Sequence, residues 1–286
     1  MRRARAAAVA ILISSSAAGT AAQTPTFSAG VEAVRVDVLV TDGDQPLLGL
    51  GPADFEVRDN GVRQDASLIS SEKLPLNVIL ALDTSASVSG EPLDHLRSAG
   101  RALLDRLEPE DRAALVTFSH EVTLREALTH VVDRVSLALA RVEPLGETAV
   151  IDGSFAAMML GETDIGRDLL IVFSDGVDTS SWLTGAQVLE AARRSDLVVY
   201  GVSVRGTDRP EFLRELSELT GGSLLEMDST RDLGAAFVGI LDEFRHRYLL
   251  SYSPRGVSPE GWHELKVTVK DRGATVKARA GYVAGR

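Results

Sequence analysis

The sequence predicts an α/β protein whose doubly wound, mostly parallel sheet is inserted between N- and C-terminal β segments that combine into a small β-sandwich. Three observations carry this. Continuous apolar runs, the first at residues 77–82, mark strands buried on both faces. Stretches of helical spacing separate those runs across residues 75–246. Strict alternation of apolar and polar residues is confined to the two ends.

The 286 residues carry 30 basic and 41 acidic side chains, a net charge of −11. That length suffices for one large or two ordinary domains. The acidic balance disfavours a phosphate-tracking groove, so nucleic acid is not the expected partner. The absence of cysteine removes disulfide scaffolds, thiolate zinc sites and cysteine nucleophiles. Metal sites built from oxygen remain open.

Residues 1–22 read as a signal peptide. Arg2, Arg3 and Arg5 precede an apolar stretch over residues 6–13, and small residues lead to Ala21 and Ala22. The expected location is therefore secreted or periplasmic. No later apolar stretch reaches 18 residues, so no integral membrane segment is expected after cleavage.

Residues 23–72 read as an N-terminal β module. Val34, Val36, Val38 and Val40 alternate with polar neighbours, and a short strand follows at residues 55–58. Asp59-Asn60-Gly61 then predicts a tight hairpin onto a strand at residues 62–68, because Asn-Gly supplies positive φ angles.

Residues 73–246 read as the α/β domain. Strands are expected at 77–82, 113–118, 169–173 and 197–204. Helices are expected at the Leu93-to-Leu107 periodicity and at 151–160, 186–194, 211–219 and 233–244. Residues 247–286 return to β, with 248–252 alternating and 263–270 expected to pair with 275–280 across Asp271-Arg272-Gly273. Residues 246–286 hold eight basic and three acidic side chains, with Lys266, Lys270, Lys277 and Arg279 expected on one face. An isolated hairpin is barely stable, so the two β ends are expected to fold together.

The first buried strand runs into Asp83-Thr84-Ser85-Ala86-Ser87, at the sheet edge where open α/β folds place ligands. Gly146-Glu147-Thr148 precedes an apolar helix, and Ser174-Asp175-Gly176 ends another buried strand. Each piece also has a plain structural reading, as a helix cap or a turn. Together the three loops offer two carboxylates and three hydroxyls, an all-oxygen set suited to Mg²⁺ or Mn²⁺. Asp83, Ser85, Ser87, Thr148 and Asp175 resemble the metal-ion-dependent adhesion site of von Willebrand factor type A domains, a Rossmann-like fold. The flanks, from Val38-Leu39-Val40-Thr41 through Asp59-Asn60-Gly61 to Ala280-Gly281-Tyr282, resemble the bacterial exported von Willebrand factor A-related family. Glu147 departs from that pattern, since many such domains have a second glycine there.

The resemblance implies a non-enzymatic adhesion module. Ser85, Ser87 and Thr148 would supply hydroxyl oxygens to Mg²⁺, Mn²⁺ or Ca²⁺, while Asp83 and Asp175 would hold coordinated waters and balance the charge. A protein partner would present an Asp or Glu carboxylate to the ion. Asp178-Thr179-Ser180-Ser181-Trp182 and Ser119-His120-Glu121 are candidate rim residues. Asp178 is a candidate addition to the metal shell, and Trp182 suits either partner contact or packing over the sheet edge. The rival readings are a metal-dependent phosphoryl hydrolase and a structural envelope protein with a vestigial metal site. The hydrolase reading lacks a second carboxylate at Ser85 and a lysine within the α/β core.

Overall fold

The computed structural model describes residues 33–43, 45–69, 74–161, 166–205, 210–270 and 273–285. The expected signal segment, residues 1–22, lies outside them.

The central sheet has six strands in the order β11-β10-β9-β6-β7-β8. They are β6 (Leu76–Asp83), β7 (Arg112–Phe118), β8 (Val122–Thr129), β9 (Arg167–Ser174), β10 (Val198–Val204) and β11 (Leu224–Met227). All neighbours are parallel except β7 and β8. The continuous Val, Ile and Leu runs follow from burial: every residue of β6 is buried, because helices cover both faces.

One face carries α1 (Glu91–Leu104), α2 (Val132–Ala140) and α6 (Leu233–Arg245), whose Leu93, Leu96, Val135, Phe237 and Phe244 pack on Leu80 and Leu82. The other carries α3 (Val150–Met158), α4 (Gly185–Ala192) and α5 (Glu211–Thr220), whose Met158, Val188 and Leu216 pack on Ile79 and Val172. Strands β8 and β11 and helix α2 have no counterpart in the sequence reading. The side chains of β8 are exposed or half-buried on both faces, which leaves no core-facing periodicity to read.

The chain ends form the sandwich around Val36, Val38, Val57, Leu250, Tyr252, Leu265 and Tyr282. In one sheet β1 (Val34–Asp42) pairs with β12 (Tyr248–Tyr252), β14 (Thr275–Lys277) and β2 (Gln45–Pro46), while β5 (Ser67–Ile69) joins β12. The other sheet runs β15 (Gly281–Ala284), β13 (Gly261–Val269), β3 (Phe55–Asp59) and β4 (Val62–Gln64). The Asn60-Gly61 turn forms as expected, with φ of 45° and 80°.

Three expectations are corrected. Residues 62–68 are not one strand, because β4 pairs with β3 and β5 pairs with β12 across the sandwich. Residues 263–270 do not pair with 275–280. Strand β13 lies between β15 and β3, and β14 crosses to the opposite sheet to pair with Leu39–Thr41. Alternation fixes which face a side chain takes, not which strand lies beside it. Arg279 is buried rather than on the solvated face, and its guanidinium meets Asp196 at 2.6 Å.

Two buried arginines join the sandwich to the sheet's amino edge. Arg167 donates to Asp37 of β1 at 2.8 Å through Nε, and Nη2 contacts the same oxygen. Arg247 donates to the Tyr200 hydroxyl and the Gly221 carbonyl, each at 2.7 Å. Inside the sandwich, Asp59 accepts from His263 at 2.6 Å and from Tyr252 and Tyr282 at 2.9 Å.

Candidate metal centre

Strand β6 ends on Asp83, which is fully buried at the sheet's carboxyl edge. One carboxylate oxygen accepts the Ser85 backbone N–H at 2.8 Å, and the other accepts the Ser174 hydroxyl at 2.6 Å. The chain then turns through a short 3₁₀ segment, Ala86–Val88, plugged into the core by Val88. Ser85 and Ser87 hydroxyls lie 2.9 Å apart, and Ser87 donates to Asp175 at 2.8 Å. Two strand-end loops are thus already joined by a continuous hydroxyl–carboxylate chain.

The third loop is fastened to the first by its backbone. Leu145 N–H donates to the Thr84 carbonyl at 2.8 Å, and Ala86 N–H to the Gly146 carbonyl at 3.0 Å. Gly146 has φ of +77°, and a Cβ there would sit 2.2 Å from the His120 ring, so glycine is required twice over. Thr148 is buried just ahead of α3, and its hydroxyl lies 3.6 Å from where a Cβ on Gly176 would stand. All five expected residues therefore come to one edge, on three loops.

The loop after β9 is held from below. The Thr148 carbonyl accepts Thr179 N–H at 2.8 Å and Ser180 N–H at 3.1 Å. Asp152, in the first turn of α3, accepts Trp182 N–H at 2.9 Å and Leu183 N–H at 3.0 Å. Asp178 accepts Ile151 N–H at 3.2 Å and the Ser181 hydroxyl at 2.5 Å. Both oxygens of Asp178, the candidate addition to the metal shell, accept hydrogen bonds within the loop. Trp182 is 94% exposed and does not pack over the sheet edge. Glu147 is exposed beside Thr148.

Sequence reasoning missed Asp152, and it gave Ser174 and Thr179, though it named both, no positioning role. Asp152 had a usable signal, an acidic side chain in a helix's first turn. Ser174 and Thr179 had none, since their partners lie 91 and 31 residues away in sequence.

Burial pushes the Asp83 carboxyl up to about 6; Ser174 and Ser85 hydrogen bonds oppose this, and the charge of Asp175 reinforces it. The groups acting most strongly on Asp83 are thus hydroxyls, an amide and a second carboxylate. Residues 84–90, 119–121, 143–148 and 174–184 contain no Lys or Arg. Two carboxylates and three hydroxyls without a protein cation suit a hard divalent ion in charge and donor type. Among the described residues no group of three or more His, Cys, Asp or Glu is placed to hold a metal.

A mostly parallel sheet wound by helices, with polar loops converging at its carboxyl edge, defines a doubly wound α/β domain, the class that places ligands at that edge. The model of the von Willebrand factor type A domain matches residues 77–237, and the chain belongs to that family. An uncharacterized protein of Synechocystis is 35% identical over 122 residues, which is 42% of this chain and 29% of that protein. The human inter-alpha-trypsin inhibitor heavy chain H4 is 29% identical over 119 residues, 37% of this chain and 13% of that one. The matched stretches thus span under a third of either relative's length.

Among solved structures, the von Willebrand factor type A protein of Catenulispora acidiphila shares the fold. Its TM-score is 0.53 at 14% identity, covering 80% of this chain and 72% of that one. Proximal thread matrix protein 1 of the mussel byssus, with a zinc-occupied MIDAS motif, aligns at TM-score 0.54 and 17% identity. It covers 67% of this chain and 50% of that one.

Proposed function

We propose that this chain is an extracytoplasmic, divalent-cation-dependent protein-binding module. The cation is held by Ser85, Ser87 and Thr148 hydroxyls, with Asp83 and Asp175 balancing its charge. The observation that carries the reading is the chain from Ser85 through Ser87 to Asp175, next to the buried Asp83, in loops that contain no Lys or Arg. When bound, the ion supplies Lewis acidity and an exchangeable position for a carboxylate oxygen of a partner protein. Asp83 is kept in place by Ser174 and the Ser85 amide, and Asp175 by Ser87.

Two further points support the reading. The fold neighbour from the mussel byssus holds zinc in its MIDAS motif. The N-terminal arginines followed by an apolar stretch suit export, and among the described residues no helix is long and apolar enough to cross a membrane. Titrating Mn²⁺ into the full chain, followed by electron paramagnetic resonance, tests the assignment. One bound ion is expected in the parent chain and none in Asp175→Ala. Equal binding by both contradicts it.

A further inference from the structure

Around the candidate metal centre stand three large apolar side chains that are exposed among the described residues. Trp182 is 94% exposed, Leu145 64% and Val177 50%, and each belongs to a loop that forms the site. Trp182 is not on a slack loop: Asp152 holds its N–H and that of Leu183, while the neighbouring Ser181 is held by Asp178. An exposed indole on a clamped backbone is pre-ordered contact area, and little further entropy is lost when a partner covers it.

The charges of the rim are one-sided. Glu121, Glu143, Glu147, Asp175 and Asp178 are the acidic side chains of its loops, with His120 the only basic type among them. A divalent ion offsets Asp83 and Asp175, while the exposed Glu147 and Glu121 keep their charge. A second acidic group beside an incoming carboxylate meets repulsion there, whereas a Lys or Arg meets attraction.

We infer that the partner is a protein segment whose metal-directed Asp or Glu is flanked by Lys or Arg and by an apolar side chain that seats on Trp182. This rests on the metal-centre reading above and specifies its ligand. Polyanions such as acidic polysaccharides present carboxylates too, but in an all-negative context that this rim disfavours.

The test is panning of displayed random heptapeptides on the full chain in Mg²⁺ with EDTA elution, repeated on Trp182→Ala and Glu147→Lys. Calorimetric Mg²⁺ titration of all three proteins and a polygalacturonate binding arm accompany it. The expected result is enrichment of Asp or Glu beside Lys or Arg and an apolar residue. Affinity for the best peptide should fall about ten-fold in Trp182→Ala, the loss of one hot spot, with Mg²⁺ binding retained. Glu147→Lys should lose the preference for basic flanks. Cation-dependent peptides without such flanks, or unaffected by Trp182→Ala, overturn the inference and leave the metal centre standing. Polygalacturonate binding without peptide enrichment, or no cation-dependent enrichment from a chain that binds Mg²⁺, also overturns it. Absence of Mg²⁺ binding in the parent chain overturns the metal-centre reading itself.

Discussion

Two aspartates at opposite ends of the same sheet, Asp83 buried and Asp168 half-buried, face the same electrostatic problem and meet it differently. Asp83 ends β6 at the carboxyl edge; Asp168 stands near the start of β9 at the amino edge. Burial raises both, Asp83 to about 6 and Asp168 to about 7. At Asp168 the Asn77 amide at 2.8 Å and the nearby charge of Arg35 give relief, against the charges of Asp37 and Asp196, which add to the burden. The neighbouring Arg167 is neutralised by Asp37. At Asp83 the relief comes from hydroxyls and an amide, and a second carboxylate adds to the burden. The amino edge is closed by internal charge pairs and serves stability. At the carboxyl edge, on the function proposed above, the charges of Asp83 and Asp175 are left for a divalent ion.

The largest effect should come from breaking the closed edge. Arg167→Ala leaves Asp37, only 10% exposed, facing no partner, and should destabilise the fold by about 3–5 kcal/mol in chemical denaturation. That loss should be insensitive to Mg²⁺. If added Mg²⁺ restores it, the two edges are not separate.

The next effect is on pH dependence. Between roughly pH 4 and 7 the folded chain holds a proton on Asp168 that the unfolded chain has lost, so this group's contribution to stability falls as pH rises through that window. Asp168→Asn keeps the oxygen that Asn77 reaches, and should stabilise the chain at pH 8 by about 1 kcal/mol or more while flattening that slope. Thermal midpoints across pH 4–8 check it.

The smallest effect on stability should come from the open edge. Ser87 is exposed, and Ser87→Ala should change the metal-free stability by no more than about 0.5 kcal/mol. Its Mg²⁺ affinity should nonetheless drop about ten-fold in calorimetry. A stability loss as large as that of Arg167→Ala would make Ser87 a structural residue.

The same contrast explains what could be read from the residues alone. Four of the five parallel strands were legible because burial on both faces writes continuous runs such as Val78-Ile79-Leu80, whereas β11 has no fully buried residue. The Asp83–Ser85–Ser87 trio was legible because its members lie within five residues at a strand end. Thr148 and Asp175 acquired meaning only beside that trio, as oxygen donors on loops at the same sheet edge, and the family resemblance then gave them roles. Strand β8 was invisible because neither face is committed to a core, and the β13–β14 pairing was misread because faces do not specify partners. The supports of the site, Ser174 and Thr179, act across many intervening residues and leave no period in the sequence.

The most direct test compares the two aspartates in one experiment: calorimetric titration of Mg²⁺ into the parent chain, Asp83→Ala and Asp168→Asn, each checked for folding by circular dichroism. The parent chain and Asp168→Asn should each bind one ion with the same affinity, and Asp83→Ala should bind none. A folded Asp83→Ala that binds Mg²⁺ as tightly as the parent chain would contradict the account.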